Sequence, residues 1–271
     1  MNDEYFDTNR KNWNERVEIH SKSKFYGLEK FKKTRNSLLR LEQKELGDVS
    51  GKLMLHLQCH FGMDSLSLAN MGAIVTGVDF SDKAVELARS LSKELAIPAN
   101  FIESNIYSLT EHLTGQFDIV FTSYGVLAWL PDLENWAKII NHFLKPGGFF
   151  YIIDGHPFGQ LFDEKFKDHL RIAYNYFTEG QVEHYEDGYT YASDTPMKNK
   201  TAYEWRHPIS SIINNLVNVG LTIEKFHEYP YSEYKSHPML FKHEDGYYYF
   251  PPEFPYKVPL MFSLKAFKKE E

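Results

Sequence analysis

KLMLHLQCHFGMDSLSLANMGAIVTGVDF, residues 52–80, reads as strand, loop, helix and strand. KLMLHL (52–57) is a short apolar run suited to a buried strand. After Gly62, Leu66, Leu68, Ala69 and Met71 fall at helical spacing, and AIVTGVDF (73–80) is apolar and β-branched, a second strand. Further along, SDKAVELARSLSKELAI (81–97) predicts a helix, with Ser81 and Asp82 available as caps and Ala84, Leu87, Ala88, Leu91 and Leu95 on one face. NFIE (100–103) is extended, FDIVFTSY (117–124) is another buried strand, and LENWAKIINHFL (133–144) is an amphipathic helix that KPGG (145–148) stops before strand FFYIIDG (149–155). Strand and helix alternate throughout 52–155, the pattern of parallel βαβ units in a doubly wound α/β sheet.

Beyond 155 the rhythm breaks. Residues 156–206 are rich in tyrosine, glycine and acids. HPISSIINNLVNVG (207–220) resumes a helix, and LTIEKFHEYPY (221–231) and PLMFSLKAFK (259–268) read as two more strands, separated by a second aromatic stretch, 232–258. Ahead of the sheet, residues 1–50 are polar and helical, with Trp13, Phe25, Tyr26 and Phe31 as sparse apolar points.

The 271 residues allow one large domain, or one domain with an insertion. Hydrophobic residues at 42% and charged residues at 25% exclude a disordered, collagen-like or coiled-coil chain. No run approaches a membrane span, and MNDEYFDTNRKNWNER has no apolar core of a secretion signal. The single Cys59 cannot form an internal disulfide, so the expected compartment is the cytoplasm. The net charge is −7, residues 101–200 carry 7 basic and 14 acidic side chains, and no basic stripe of the kind that grips nucleic acid is present. Lys30, Lys32, Lys33 and Arg35 read as a solvated helix face. The unusual figure is 16% aromatic, with 21 Phe, 18 Tyr and 4 Trp crowded into the second half. Tyrosine joins an apolar ring to a polar tip and suits an enclosed pocket, although the same rings would also serve as a small second core.

In an open parallel sheet, ligands bind beyond the carboxyl ends of the strands. The first strand delivers Gln58-Cys59-His60-Phe61-Gly62 there, and the second ends on Asp79, where such folds place the acid that binds a ribose diol. A dinucleotide fingerprint would need glycines at 58, 60 and 63, whereas the chain has Gln58, His60 and Met63. S-adenosylmethionine has a ribose without a phosphate, and one glycine of its common loop at 58, 60 and 62 survives, Gly62.

LHLQCHFGMDSLSLA, VTGVDFS, SNIYSL, FDIVFTSYGVLAWLPD and FLKPGGFFYIID, in that order, resemble class I S-adenosylmethionine-dependent methyltransferases, and most closely a bacterial small-molecule branch with an LQCHFG loop. The resemblance covers residues 52–154 and continues more loosely to 220–230 and 258–268. It implies a Rossmann-like sheet of seven strands ordered 3-2-1-4-5-7-6 with the seventh antiparallel, S-adenosylmethionine as cofactor and a small-molecule acceptor. By this likeness Gln58, Cys59, His60 and Gly62 line the methionine end, Asp79 holds the ribose with Phe80 and Ser81 beside it, Asn105 and Ile106 meet the adenine, and Ser123, Tyr124 and Gly125 flank the sulfonium. His56 stands where the family carries an acid within the first strand. Residues 1–50 are then a leading helical segment, and 51–271 the methyltransferase domain, with 156–206 and 232–258 as a substrate cap.

Trp13, Arg16 and His20 share one helix face. With Asn12, Phe25 and Tyr26 they make residues 1–27 either a flap over the cofactor, through Trp13, His20 and Tyr26, or a helix packed on the sheet edge. Tyr124 and His156 are candidate bases, with a structural role open for His156 before Pro157. Trp129, His156, Tyr203 and Trp205 are candidate acceptor contacts, with packing open for Trp129. His56, Cys59 and His60 are too crowded for a tetrahedral metal site, so no metal is expected. Cys59 reads as a small buried thiol, Asp118 as a cap or hydrogen-bond acceptor at the fourth strand, and Asp132 as a helix N-cap. The expected state is a monomer or homodimer. The competing readings are a cofactor-binding protein without catalysis and, with those glycines absent, an NAD-dependent oxidoreductase.

Overall fold

The computed structural model describes residues 3–178, 180–186 and 188–270. Among the residues spanned by the expected segments, Met1, Asn2, Glu179, Asp187 and Glu271 lie outside this set. Three helices lead: α1 (Asp3–His20), α2 (Leu28–Thr34) and α3 (Arg40–Leu46). Then β1 (Leu53–Leu57), α4 (Met63–Asn70), β2 (Ile74–Asp79), α5 (Asp82–Leu95), β3 (Asn100–Glu103), β4 (Phe117–Ser123), α6 (Leu133–Phe143) and β5 (Leu144–Gly155) follow the expected alternation. Helix α6 stops as expected, but KPGG belongs to the irregular start of β5, where Leu144 already pairs with Phe117. The remaining elements are β6 (Val182–Glu186), β7 (Thr201–Trp205), α7 (Ile209–Asn218), β8 (Leu221–Tyr229), β9 (Tyr231–Ser232), β10 (Phe241–Lys242), β11 (Tyr248–Tyr249) and β12 (Met261–Lys268).

The main sheet has seven strands in the order β3-β2-β1-β4-β5-β12-β8. β12 runs antiparallel to both β5 and β8, while β1 to β5 are mutually parallel. This is the expected topology. Both faces are covered, so the strands read as continuous apolar runs, with neighbouring side chains sent to opposite cores. Leu55, Leu57, Val120, Phe150 and Ile152 pack with Trp136 and Ile140 of α6 and Leu216 of α7. Met54, Ile119, Phe121, Tyr151 and Ile153 face Leu46 of α3 and Leu68 of α4. Ser81 caps α5 by accepting from Ala84 N at 3.0 Å, and Asp132 caps α6 by accepting from Asn135 N at 2.9 Å, both as the sequence predicts.

β1 sits between β2 and β4, so the connections after β1 and β4 leave in opposite directions and open a crevice at their carboxyl ends. Among the described residues, no helix is long and apolar enough to cross a membrane.

Candidate functional site

The loop after β1 has an unusual backbone. Gln58, His60 and Gly62 adopt φ of 55°, 50° and 76°. These are the positions where glycine was expected on likeness, and the left-handed conformation explains that preference, since only glycine enters it without steric cost. Gly62 also has no room for a side chain, because a Cβ there would lie 2.7 Å from the Phe101 ring. Gln58 and His60 are held in place by other bonds. Gln58 Nε2 donates to Val126 O at 3.0 Å, and the His60 backbone N–H donates to Asp79 Oδ2 at 2.8 Å.

Asp79, at the end of β2, also accepts from Ser81 N at 3.0 Å. Burial raises its carboxyl pKa to about 6, against the opposing pull of these N–H bonds. Gln58, Asp79, Phe80, Asn105, Ile106 and Trp129 line one narrow cleft, which α1 closes with Phe6 and Asn9. Five residues expected at the cofactor thus come together, with Trp129 on their side of the crevice. Ser81 is turned away, donating to Asn14 Oδ1 of α1 at 2.6 Å. Cys59 is not in this cleft: its thiol is buried, packed where a Cβ on Gly77 would touch Sγ at 2.9 Å, and burial pushes its pKa up. His56 is likewise buried, bonded to Ser65 Oγ at 2.8 Å, and held down to about 3 by burial. Asp118 accepts from Leu53 N at 2.7 Å and pairs with Lys145 at 2.8 Å, a structural tie between strands.

Helix α1 covers the crevice with a buried polar stripe, Asn9, Asn12, Arg16 and His20. Asn9 makes a double bond set to one residue of β7: its Nδ2 donates to Tyr203 O and its Oδ1 accepts from Tyr203 N, both at 2.8 Å. Asn12 Nδ2 donates to Asn199 O at 2.7 Å. The His60 ring packs against Trp13, His20 and Tyr26, each at 5.3 Å between centroids, and its Nε2 lies 3.1 Å from His20 Nδ1. Burial, then the nearby Arg16, holds the His20 pKa down to about 3.

Sequence reasoning placed Arg16 on this face without assigning it a ligand. Its guanidinium lies 5.3 Å from the Trp13 ring and 5.7 Å from the Trp129 ring. Among the described residues its one hydrogen bond is from Nε to Asn12 Oδ1 at 2.6 Å, and no carboxylate pairs with it. Nearby, Trp13 Nε1, His20 Nε2, Gln58 Oε1 and His60 Nδ1 are buried without hydrogen-bond partners. A buried, unpaired cation beside four unpaired polar atoms is a site built for a polar, anionic group.

Residues expected beside the sulfonium sit at the end of β4. Ser123 Oγ donates to Asp64 Oδ2 at 3.4 Å, and Gly125 N donates to Asp154 Oδ1. Tyr124 has φ 35°, and its hydroxyl faces Glu42. Of the four candidate acceptor contacts, three lie elsewhere. His156 is 3% exposed; its Nδ1 accepts from Phe158 N at 3.0 Å, and its Nε2 lies 3.0 Å from Glu228 Oε1, off the line of an ideal hydrogen bond. Nδ1 is held by the backbone turn and Nε2 faces the Glu228 carboxylate, at the edge of the sheet beside β8. The Tyr203 ring lies 4.4 Å from Tyr5, and buried Trp205 lies 6.0 Å from it, so both seat α1. The second insertion divides: Tyr247 and Tyr249 form a small core with Tyr231, while Tyr234 turns toward Tyr191 and Phe25.

Residues 55–152 match the family model for a methyltransferase domain. Over that span the chain is similar to methyltransferases. It is 32% identical over 122 residues to a ubiquinone biosynthesis O-methyltransferase of Bordetella pertussis, a match covering 44% of this chain and 50% of the relative. The corresponding enzyme of Pseudomonas aeruginosa is 30% identical over 120 residues, covering 44% and 51%. The chain therefore spans about half the length of the curated relatives it matches. Among solved structures, an S-adenosylmethionine-dependent methyltransferase from Mesorhizobium loti superposes with a TM-score of 0.58 at 18% identity, covering 83% of this chain and 95% of that one. One from Methanosarcina mazei gives 0.56 at 17%, covering 87% and 100%. These structures share the fold of the domain, and the domain match supports S-adenosylmethionine as its cofactor.

Proposed function

We propose that this protein transfers the methyl group of S-adenosylmethionine to a small organic acceptor. The observation that carries the reading is the pairing of Asp79 with Arg16 at two ends of one crevice. Asp79 presents a carboxylate to the cleft lined by Asn105 and Ile106, suited to a ribose diol beside an adenine. Arg16, buried and unpaired among Trp13, Trp129 and the unbonded atoms of His20, Gln58 and His60, suits the carboxylate of the methionine moiety. Phosphate-binding glycines are absent from the loop, which argues against a dinucleotide. The sulfonium supplies an activated methyl group when bound. The residues of this chain hold the two partners in line and exclude water, and α1 with its aromatic face closes the crevice.

The cleft under α1 holds only about 30 Å³ of open space. Entry of a nucleoside therefore requires α1 to move, which supports the reading of residues 1–27 as a flap. Isothermal calorimetry with S-adenosylhomocysteine tests the proposal. We expect one site per chain and no heat with NAD; binding of NAD but not of S-adenosylhomocysteine would overturn the assignment.

A further inference from the structure

We infer that the outer face of α1 carries a second binding site, for a small organic phosphate, in a groove of about 640 Å³ that the methyl-transfer reading does not use. Three stretches wall it: α1 and the turn after it, from Lys11 to Ser23, the first turn of α5 at Lys83, and residues 193–199 of the first insertion. Spacing along the chain builds the first wall. Lys11, Glu15, Glu18 and Lys22 recur at intervals of three and four, so they share one face. The buried stripe of Asn9, Asn12, Arg16 and His20, which covers the crevice, lies on another.

The charge of the groove runs against that of the chain. Lys11, Lys22, Lys83 and Lys198 bring four ammonium groups, against the carboxylates of Glu15 and Glu18, in a protein of net charge −7. Glu15 is occupied: its Oε1 accepts from Lys198 N at 2.8 Å, and its Oε2 accepts from Asn199 N at 2.7 Å and Asn199 Nδ2 at 2.8 Å. It also attracts the Lys198 ammonium. Lys83 pairs with Glu86 at 3.2 Å and is drawn by Glu18 as well. Among the described residues, Lys11, Lys22 and Lys198 form no ion pair. A phosphate carries close to two charges near neutral pH and several strong acceptor oxygens, which suits ammonium donors on flexible stems. Size separates an organic phosphate from the bare ion. The groove falls within the roughly 300–1,000 Å³ of small-molecule sites, and Ile19 and Pro196 give a carbon skeleton an apolar wall. Ser193 Oγ and Thr195 Oγ1, 2.8 Å apart, add hydroxyls to the opposite side.

The position of the groove couples it to the crevice, a step that rests on the reading of residues 1–27 as a flap. Helix α5 is fixed to the sheet, because Ala84, Val85, Ala88 and Leu91 pack with Phe101 of β3. Lys83 therefore stands on the immobile side, while Lys11 and Lys22 ride on the flap and Lys198 on its seat. A phosphate held from both sides binds the closed arrangement better than the open one. It shifts the protein toward closure, and by linkage it strengthens cofactor binding by the factor through which the cofactor strengthens its own.

Calorimetry on the full chain at fixed ionic strength tests the site, with phenyl phosphate, phenol and inorganic phosphate as probes. Phenyl phosphate is expected to bind at least tenfold tighter than either of the others. Lys22→Gln combined with Lys198→Gln should weaken it at least tenfold with an unchanged melting temperature, whereas Lys138→Gln, on the exposed side of α6, should leave it within twofold. Saturating phenyl phosphate should raise S-adenosylhomocysteine affinity at least threefold in the unmodified protein and not in the double variant. No binding of phenyl phosphate, binding no tighter than that of phenol or inorganic phosphate, or an equal loss in Lys138→Gln would overturn the site. An S-adenosylhomocysteine affinity indifferent to phenyl phosphate would overturn its coupling to α1. Failure of S-adenosylhomocysteine to bind the unmodified protein would instead sink the methyl-transfer reading, since the phosphate titration does not depend on it.

Discussion

Gln58 and His60 hold a left-handed backbone that costs a side chain about 1–2 kcal/mol. The Gln58 side chain returns one hydrogen bond, to Val126 O, worth about 0.5–1.5 kcal/mol net. The two nearly cancel, so Gln58→Gly is expected to change unfolding free energy by less than about 1 kcal/mol in urea titrations; a loss of several kcal/mol would show that the side chain is doing more than this account allows. The two ends of the cofactor site separate cleanly by ligand. Arg16→Ala removes a charge-assisted contact worth about 1.5–3 kcal/mol, so S-adenosylhomocysteine should bind roughly 10- to 150-fold more weakly. 5′-Methylthioadenosine has no amino-acid carboxylate, and its affinity should not change. Asp79→Ala, by contrast, should weaken both ligands by a similar factor, because both keep the ribose. Calorimetry on the two variants checks the pattern, and equal losses for both ligands in Arg16→Ala would remove Arg16 from the carboxylate end.

Helix α1 is fastened at one side through Asn9 and Asn12 to the backbone of β7 and the residues before it, and at the other through Asn14 to Ser81. The first insertion therefore serves as the seat of α1, and α1 and β7 should open together. Hydrogen exchange should slow in residues 3–27 and in 199–205 when S-adenosylhomocysteine is added, and unchanged exchange in both segments would end the flap reading. Asn9→Ala strands the N–H and C=O of Tyr203, and each buried group left unsatisfied costs about 1–3 kcal/mol. Exchange in α1 should rise in that variant even without ligand, while β1 and β4 stay protected. The same seating changes what Tyr203 and Trp205 are expected to do. Truncating either removes the support under Tyr5, so cofactor affinity should fall along with turnover, rather than turnover alone.

Across the whole molecule, buried titratable groups act in two opposing directions. Asp79, Glu42 and Glu233 have pKa values raised by burial to about 6, 7 and 8. The unfolded chain ionises these groups near pH 4, so the stability they contribute is complete below that and is lost as pH climbs through 6 to 8. His20 and His56 are held down to about 3, so their contribution is complete above about 6.5 and is lost as pH falls toward 3. The melting temperature of the ligand-free protein should therefore peak between pH 4 and 6.5 and decline toward pH 8.5. Glu233→Gln should raise it at pH 8.5 and leave it nearly unchanged at pH 5, by differential scanning calorimetry. A gain of equal size at both pH values would contradict an ionising Glu233.

Period and punctuation along the chain were enough to read the alternating strands and helices of a doubly wound sheet, the caps at Ser81 and Asp132, and Asp79 at the end of β2, while the order of the seven strands was implied by the family resemblance. Those features follow from local order: an apolar run, a cap residue and a strand end are each written in a few consecutive letters. The positive φ at Gln58 and His60 was half legible, since the glycine positions were recognisable but not that other residues would be held in the same backbone. What the tertiary structure alone decided lies at long sequence separation. Arg16 becomes a candidate carboxylate ligand only because Trp13 and Trp129 enclose it and no acid among the described residues pairs with it. Burial and the absence of a counter-charge are properties of packing, and no pattern in consecutive residues encodes which distant groups will share a desolvated space.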